Sequence, residues 1–136
     1  MGNSEVGYLN IGARRVAWHD AVRIDQTIKK GRLNQNEVIV KTFKATKEGT
    51  GRLHLAGLIS DRGVYSKQDY LYALLKVAKE MEILYIYIHF FGDGRDTDPK
   101  SGAGYIQDLL NKIKETRIGE VATVIRRYFA IDCDER

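Results

Sequence analysis

The apolar residues in the second half of the chain alternate between two spacings. Three short segments, 52–60, 83–91 and 120–129, are rich in β-branched, aromatic and long apolar side chains, which is typical of strands. Between them, residues 66–81 and 102–116 carry apolar side chains every three or four positions, which is typical of amphipathic helices. The predicted order is β-α-β-α-β, and this alternation predicts an α/β fold with a parallel sheet and flanking helices.

The second of these strands, residues 83–91 (ILYIYIHFF), is the centre of the predicted sheet. It has no clean alternation of polar and apolar positions, so we expect both of its faces to be covered. It runs directly into residues 92–96 (GDGRD), where two aspartates flank Arg95. Charged groups that follow a buried parallel strand lie at the edge where open α/β sheets bind ligands. This edge is therefore the predicted binding site.

The first part of the chain has a helical pattern without strands. Residues 18–30 carry apolar positions at helical spacing, with lysines in the last turn and Gly31 as a stop. Asn34 or Asn36 is predicted to cap the next helix, and Ser4 is a candidate N-cap near the start. The leading helices belong either to a neighbouring unit or to an N-terminal extension of the α/β domain.

The composition is that of a globular protein. The chain has 136 residues, of which 43% are hydrophobic and 29% charged. Its longest apolar run, about nine residues, is far shorter than the roughly 20 needed to cross a bilayer, and a secretory pattern is missing at the start. The single cysteine, Cys133, excludes an internal disulfide and fits a reducing compartment. We therefore expect a cytoplasmic protein with no membrane partner.

The net charge of +4 allows anionic partners without requiring one. The basic residues are scattered along the chain, and no motif for stacking on bases accompanies them. We therefore expect no nucleic-acid partner, and a small phosphorylated ligand is left as the anionic partner to consider.

Three loops are predicted to meet at the carboxyl edge of the sheet. They place Arg62, Arg95 and either Arg126 or Arg127 around one pocket. Guanidinium groups bind phosphate and carboxylate through paired N–H donors, so this edge suits a small, doubly anionic ligand. The alternative is that these arginines are solvated loop charges, because loops are charged in most proteins. The aspartates that would balance them are Asp61, Asp93, Asp96 and Asp132.

Other candidate reactive side chains are isolated in the sequence. His19, His54 and His89 have no neighbouring ligands at metal-binding spacing. His54 and His89 lie within predicted strands, where a packed, hydrogen-bonded histidine is favoured over a metal ligand. Cys133 has no histidine placed near it by the sequence, which argues against a nucleophilic thiol. From the residues alone, Ser4 is a helix cap.

Four blocks, in unbroken order, resemble the family of cofactor-independent (2,3-bisphosphoglycerate-independent) phosphoglycerate mutases. They read GNSEVGYLNIGARRV, GRLHLAGLISDRGVYS, HFFGDGRDTDPKSG and ATVIRRYFAIDCDER. The resemblance implies a glycolytic isomerase with an alkaline-phosphatase-like domain that holds two manganese ions and an inserted phosphotransferase domain. Residues 1–33 resemble the nucleophile segment of the first domain, and residues 34–136 resemble the amino-terminal part of the second. A truncated copy of the enzyme is therefore expected.

The resemblance also implies roles for individual residues. Ser4 matches the nucleophile that becomes phosphoserine, and it is also a manganese ligand in the family. Arg95 and Asp96 match residues that bind the substrate, and Arg127 matches an arginine that holds the anionic groups of the substrate. The implied ligand is 2- or 3-phosphoglycerate, and the implied reaction moves the phosphoryl group onto Ser4 and back.

The chain departs from the family pattern at residues that matter for catalysis. A block that reads GGVHSHIDHL in the family reads RGVYSKQDYL here, so that Tyr65, Lys67 and Tyr70 replace histidines. Tyr65 stands at the active-site histidine of the family, and a phenol with a pKa of about 10 is a poor proton carrier at neutral pH. Cys133 replaces an arginine that binds the substrate. We therefore expect the isolated chain to have no mutase turnover.

Arginines also replace glycines of the family at three positions, Arg14, Arg62 and Arg126, where a bulky side chain would disturb a favoured turn. Together the exchanges indicate a degenerate copy of the enzyme.

Two non-catalytic functions are the alternatives. In the first alternative, the chain is a module that binds phosphate or phosphoglycerate through Arg95, Asp96 and Arg127. Otherwise it is a fragment that associates with an intact mutase through apolar residues of the helix at 18–30.

Overall fold

The computed structural model describes residues 4–14, 20–61, 67–93, 98 and 101–131, with side chains described from residue 7 onward. The chain forms two compact units, Met1–Arg32 and Leu33–Arg136. The assignment of residues 1–33 and 34–136 to parts of two different enzyme domains stays a prediction.

The first unit is helical, as its apolar spacing predicts. It contains α1 (Ser4–Ala13) and α2 (Asp20–Lys29). The acidic first residue and basic last residue of α2 complement the helix dipole. Gly31 follows with a φ of 63°, a left-handed conformation that glycine adopts without steric cost, and it ends the helix where predicted.

Arg14 also has a left-handed backbone, with a φ of 50°. For a residue with a Cβ this conformation costs roughly 1–2 kcal/mol. Arg14 therefore stays in the left-handed conformation that favours glycine. The arginine strains the turn. Arg126 has φ of −79° and ψ of 146°, ordinary extended angles, so its backbone is unstrained, and the expected change of turn there stays a prediction. Arg62 lies outside the described residues.

The second unit is an α/β domain, and it confirms the predicted fold class. Its elements are a 3-10 turn (Leu33–Gln35), α3 (Glu37–Glu48), β1 (Arg52–Ile59), α4 (Gln68–Glu80), β2 (Tyr85–Gly92), α5 (Gly102–Thr116), β3 (Glu120–Arg126) and α6 (Arg127–Ala130). The strands are parallel in the order β1-β2-β3, so β2 is central as predicted. None of the helices in the described part is both long and apolar enough to span a membrane.

Asn36, and not Asn34, starts α3. Its side-chain Oδ1 accepts hydrogen bonds from the backbone N–H groups of Val38 at 3.1 Å and Ile39 at 3.2 Å. These are donors that the first turn of any helix leaves unpaired. Asn36 therefore fixes the start of α3.

The third strand is shorter than predicted. We expected residues 120–129, but β3 ends at Arg126 and the chain turns into α6. The last residue pair between β2 and β3 joins Gly92 to Arg126. Because β2 ends there, the aromatic residues that follow have no strand to pair with, despite their high strand propensity.

The covered face of the sheet, against which α3, α4 and α5 pack, holds the hydrophobic core. Successive strand residues point to opposite sides, so alternate positions of β2 point into this core. Its largest fully buried side chains are Leu75, Ile86, Ile88, Phe90 and Leu109. Each such burial contributes about 1.5–3 kcal/mol. These contacts position β2, and with it the edge where the site is expected.

The opposite face of the sheet is only partly covered, which corrects the prediction that β2 is covered on both sides. Tyr87, His89 and Phe91 are half-buried there, and Leu58, beside Phe91, is buried. Tyr85 is 58% exposed and Ile125 is 36% exposed. We call this surface the open face, and its residues are His54, Tyr85, Tyr87, His89, Phe91, Thr123 and Ile125. The alternation was hidden in the sequence because tyrosine, histidine and phenylalanine suit half-buried surfaces as well as cores.

Candidate functional site

The carboxyl ends of the three strands form the candidate site. Gly92 at the end of β2 pairs with Ile59 of β1 and with Arg126 of β3. The segments that follow the strands therefore start side by side, and the loops converge at one edge as predicted. We call this edge the rim, and its described residues are Ser60, Asp61, Asp93, Tyr105 and Arg127.

Arg127 and Asp93 form a buried ion pair at the rim. Arg127 Nη1 lies 3.4 Å from Asp93 Oδ1, and the two side chains are only 6% and 4% exposed. Removing one charge of such a pair leaves the other buried, at a cost of about 3–5 kcal/mol. The interpretation of Arg127 as a solvated loop charge is therefore wrong. The part of that interpretation in which an aspartate balances its charge is right, since Asp93 does so.

The end of β3 explains why Arg127, and not Arg126, enters the rim. Arg126 is the last residue of the strand and is exposed. The chain then turns into α6, whose first residue is Arg127, and Ile131 N donates to Arg127 O at 2.9 Å. The choice between the two arginines, which the sequence left open, falls on Arg127.

Tyr105, in the first turn of α5, joins the end of β1 to the rim. Its hydroxyl donates a hydrogen bond to Asp61 Oδ1 at 2.6 Å. This hydrogen bond to the Asp61 side chain, together with burial, raises the pKa of Tyr105 above its ordinary value. The sequence pattern alone did not single out Tyr105 as a site residue. The signal in the sequence is a tyrosine in the first turn of a helix that follows a charged loop, because its hydroxyl can donate to a nearby carboxylate.

The segment between β2 and α5 is anchored on both sides. Asp93 at its start is held by Arg127, and Asp98 O accepts hydrogen bonds from Ser101 Oγ at 2.6 Å and Ser101 N at 2.9 Å. The predicted substrate-binding residues Arg95 and Asp96 lie outside the described residues, but the segment that contains them begins at the rim.

The remaining predicted site residues are only partly placed. Ser4 is the first residue of α1 itself, and its side chain lies outside the described part of the chain. Tyr65, Asp132 and Cys133 also lie outside it, as does Arg62. Their roles stay predictions.

His54 and His89 are neighbours in space, although the sequence separates them. His54 Nδ1 lies 3.0 Å from His89 Nε2, and His89 Nδ1 lies 2.8 Å from Thr123 Oγ1. The prediction that these histidines are hydrogen-bonded is confirmed. The prediction that they stand alone is wrong. The pairing of β1 with β2 brings them together, and the line of three side chains crosses the open face, away from the rim.

The described residues do not form a metal site. Among them, no three side chains of His, Cys, Asp or Glu come together, and the His54–His89 pair supplies only two nitrogens. We therefore derive no chemical step from manganese. The manganese requirement and the place of Ser4 in it stay predictions.

Comparison with known proteins gives consistent similarities. A family model described as the BPG-independent PGAM N-terminus matches residues 24–136. Two curated 2,3-bisphosphoglycerate-independent phosphoglycerate mutases align with 100% of the chain: one from Onchocerca volvulus at 48% identity and one from Caenorhabditis elegans at 50%. A crystal structure of Leishmania mexicana phosphoglycerate mutase, determined at low cobalt concentration, matches 95% of the chain with a TM-score of 0.81 and 32% identity.

These similarities cover only part of each relative. The chain corresponds to 26% of the Onchocerca protein, 25% of the Caenorhabditis protein and 24% of the Leishmania chain. It therefore spans about a quarter of the length of the proteins it resembles.

Proposed function

Because the chain belongs to the family of BPG-independent phosphoglycerate mutases, whose N-terminal model matches residues 24–136, we propose that it serves the interconversion of 3- and 2-phosphoglycerate. Its part in this reaction is to bind phosphoglycerate at the rim. The isolated chain does not complete the reaction.

The buried pair of Arg127 and Asp93 supports this proposal most directly. Asp93 is the first described residue of the segment that contains Arg95 and Asp96. An anchored start lowers the conformational entropy that is lost when residues of the segment bind a ligand. Arg95 then binds the phosphate or carboxylate of the ligand. Arg127, whose charge Asp93 balances, holds the start of that segment at the rim.

Ser4 is the proposed phosphoryl acceptor of the complete reaction. Transfer to a serine hydroxyl needs a group that takes its proton. The family histidine is replaced by Tyr65, and general acid–base catalysis contributes about 10²–10⁴-fold to a rate. We therefore propose binding without turnover.

Titration calorimetry with 3-phosphoglycerate tests this proposal. The unaltered chain is expected to bind, and Arg95→Ala is expected to weaken the affinity at least tenfold, because a charged hydrogen bond is worth about 1.5–3 kcal/mol. Arg52→Ala is the matched control, since Arg52 is exposed at the opposite end of β1. Its affinity should equal that of the unaltered chain.

Equal affinities for Arg95→Ala and the unaltered chain, or no heat of binding at all, would contradict the binding site. In a coupled mutase assay with added manganese, turnover should stay below about a thousandth of that of a family enzyme. A higher rate would contradict the loss of catalysis.

A second candidate function is association with an intact mutase, and exposed apolar residues on α2 favour it. Val22 is 42% exposed and Ile24 is 41% exposed, and no described residue of α2 is buried. Exposed apolar side chains of this kind are available to a partner, although Val22 and Ile24 lie on different sides of α2.

A further inference from the structure

The open face is a surface of the kind that folded proteins rarely leave in water. Parallel sheets occur almost only with both faces covered, because their connections place helices on each side. Here the described helices α3, α4 and α5 pack into the single core on the covered face. Tyr85 and Ile125 remain 58% and 36% exposed on the other.

The chemistry of the open face indicates what would fit on it. A polar line runs across its centre, from His54 through His89 to Thr123, at 3.0 and 2.8 Å. The His54 ring also stacks on Tyr87, with 5.1 Å between ring centroids. The line satisfies much of its own hydrogen-bonding capacity, so a largely apolar cover with few polar groups could pack over it without leaving buried donors unpaired.

The edge of the sheet beside this face is also exposed. Among the described strands, β3 pairs only with β2, so no described strand covers its other side. Val124 is 57% exposed, and Phe129 in the following turn is 72% exposed. Val124 pairs with the core residue Phe90 and so points to the covered side, which means that the exposed edge of β3 lies beside the open face and is not part of it.

The relatives contain enough additional polypeptide to cover such a surface. The chain aligns with 26% of the Onchocerca mutase and 25% of the Caenorhabditis mutase, so about three quarters of each lies outside the alignment. A second copy of this chain is a less suitable cover for two reasons. It would place the same polar line against itself at the interface. It would also offer β3 no strand partner of different sequence.

We propose that the open face is the docking surface for that remaining part of a phosphoglycerate mutase of this family, and that the two polypeptides associate when they are supplied as separate chains. This inference rests on the family and on the sheet, and it does not depend on phosphoglycerate binding at the rim.

Co-expression tests the proposal. The full chain would carry an affinity tag, and the partner would be the Caenorhabditis mutase without its matched quarter. We expect the partner to be soluble and to co-purify with the chain. Tyr87→Lys places a charge in the centre of the open face and should lower the recovered partner at least tenfold, as loss of a central contact does at interfaces.

Val38→Lys is the matched control. Val38 is 73% exposed on α3, away from the open face, and receives the same charge. It should recover as much partner as the unaltered chain. Circular dichroism and thermal unfolding of both variants establish that they are folded before their yields are compared.

Several outcomes would overturn the proposal. A partner that is insoluble or absent with every variant shows that the open face does not receive it. If Tyr87→Lys and Val38→Lys recover equal amounts of partner, the partner contacts a surface other than the open face. A dimer of the chain alone that Tyr87→Lys abolishes identifies a second copy as the occupant.

The intact Caenorhabditis mutase provides a further comparison. Its own matched quarter should already occupy the corresponding surface, so we expect at least tenfold less recovery of the intact enzyme than of the shortened partner. Equal recovery of both would contradict docking at the open face and favour the association through α2. Neither result changes the calorimetric test of the rim.

Discussion

The two faces of the sheet are made from neighbouring residues of the same strands, yet only one face is packed. On β2, Ile86 and Ile88 are at most 2% exposed, whereas Tyr85, adjacent to Ile86, is 58% exposed. The covered face uses branched aliphatic side chains that only a core can satisfy. The open face uses rings with polar atoms, and two of them, His54 and His89, hydrogen-bond to each other. These polar atoms can be hydrated in the free chain, although parallel sheets are rarely left with one face uncovered.

The same contrast recurs at the rim over a distance of one residue. Arg126 is exposed, whereas Arg127 is 5% exposed and paired with Asp93. The environment of a residue in or after a strand is thus set by the side toward which it points, and not by its neighbours in the sequence.

The largest expected effect follows from the two arginines. Arg127→Ala should lower the free energy of unfolding by about 3–5 kcal/mol, because it leaves the Asp93 carboxylate buried without this cation. Arg126→Ala is the control, and as a surface substitution it should change stability by less than about 0.5 kcal/mol. Urea unfolding followed by circular dichroism measures both. Similar values for the two variants would show that the pair is not buried in solution.

A smaller effect separates the two faces directly. Ile88→Ala removes a fully buried side chain and should cost about 2–5 kcal/mol. Ile125→Ala makes the same chemical change on the open face, where the side chain is 36% exposed, and should cost well under half as much. Thermal and urea unfolding of both variants provide the comparison. If the two costs are equal, the open face is covered in solution.

The smallest expected effect is a loss of stability at alkaline pH that depends on Tyr72 in α4, on the covered face. Burial, followed by the negative charges of Asp108 and Asp69, raises the pKa of Tyr72 above its ordinary value. The folded state then holds this proton more tightly than the unfolded state, so stability present below pH about 10 is lost as the pH rises further.

Tyr72→Phe should therefore reduce the fall in melting temperature between neutral pH and pH about 11. It also removes a buried hydroxyl that has no hydrogen-bond partner among the described residues. Tyr85→Phe, on the open face, is the matched control and should follow the unaltered chain. The same alkaline fall in all three proteins would rule out Tyr72 as its source.

Much of the fold could be predicted because its signals are local. Helical spacing, the glycine stop at Gly31 and the asparagine before α3 act within one or two turns, and each is found where expected within a few residues. The end of β3 was missed because it depends on where its partner strand stops, which lies 34 residues earlier at Gly92. Local propensity carries no record of that partner.

The candidate site was predictable in its position and less so in its contacts. The charged residues after β2 and β3 do meet at one edge, since parallel strands end on the same side. The burial of Arg127 and the hydrogen bond from Tyr105 to Asp61 were not predicted. Each joins residues at least 34 positions apart, and no spacing rule connects them.

The order of residues along the chain was sufficient for the element types, the parallel sheet and the family, because periodicity and motifs are properties of consecutive residues. Three features are properties of strand register and packing: which arginine is buried, which histidines touch, and which face of the sheet the described helices leave uncovered. They follow only once distant segments are aligned, because burial and hydrogen bonding depend on neighbours in space.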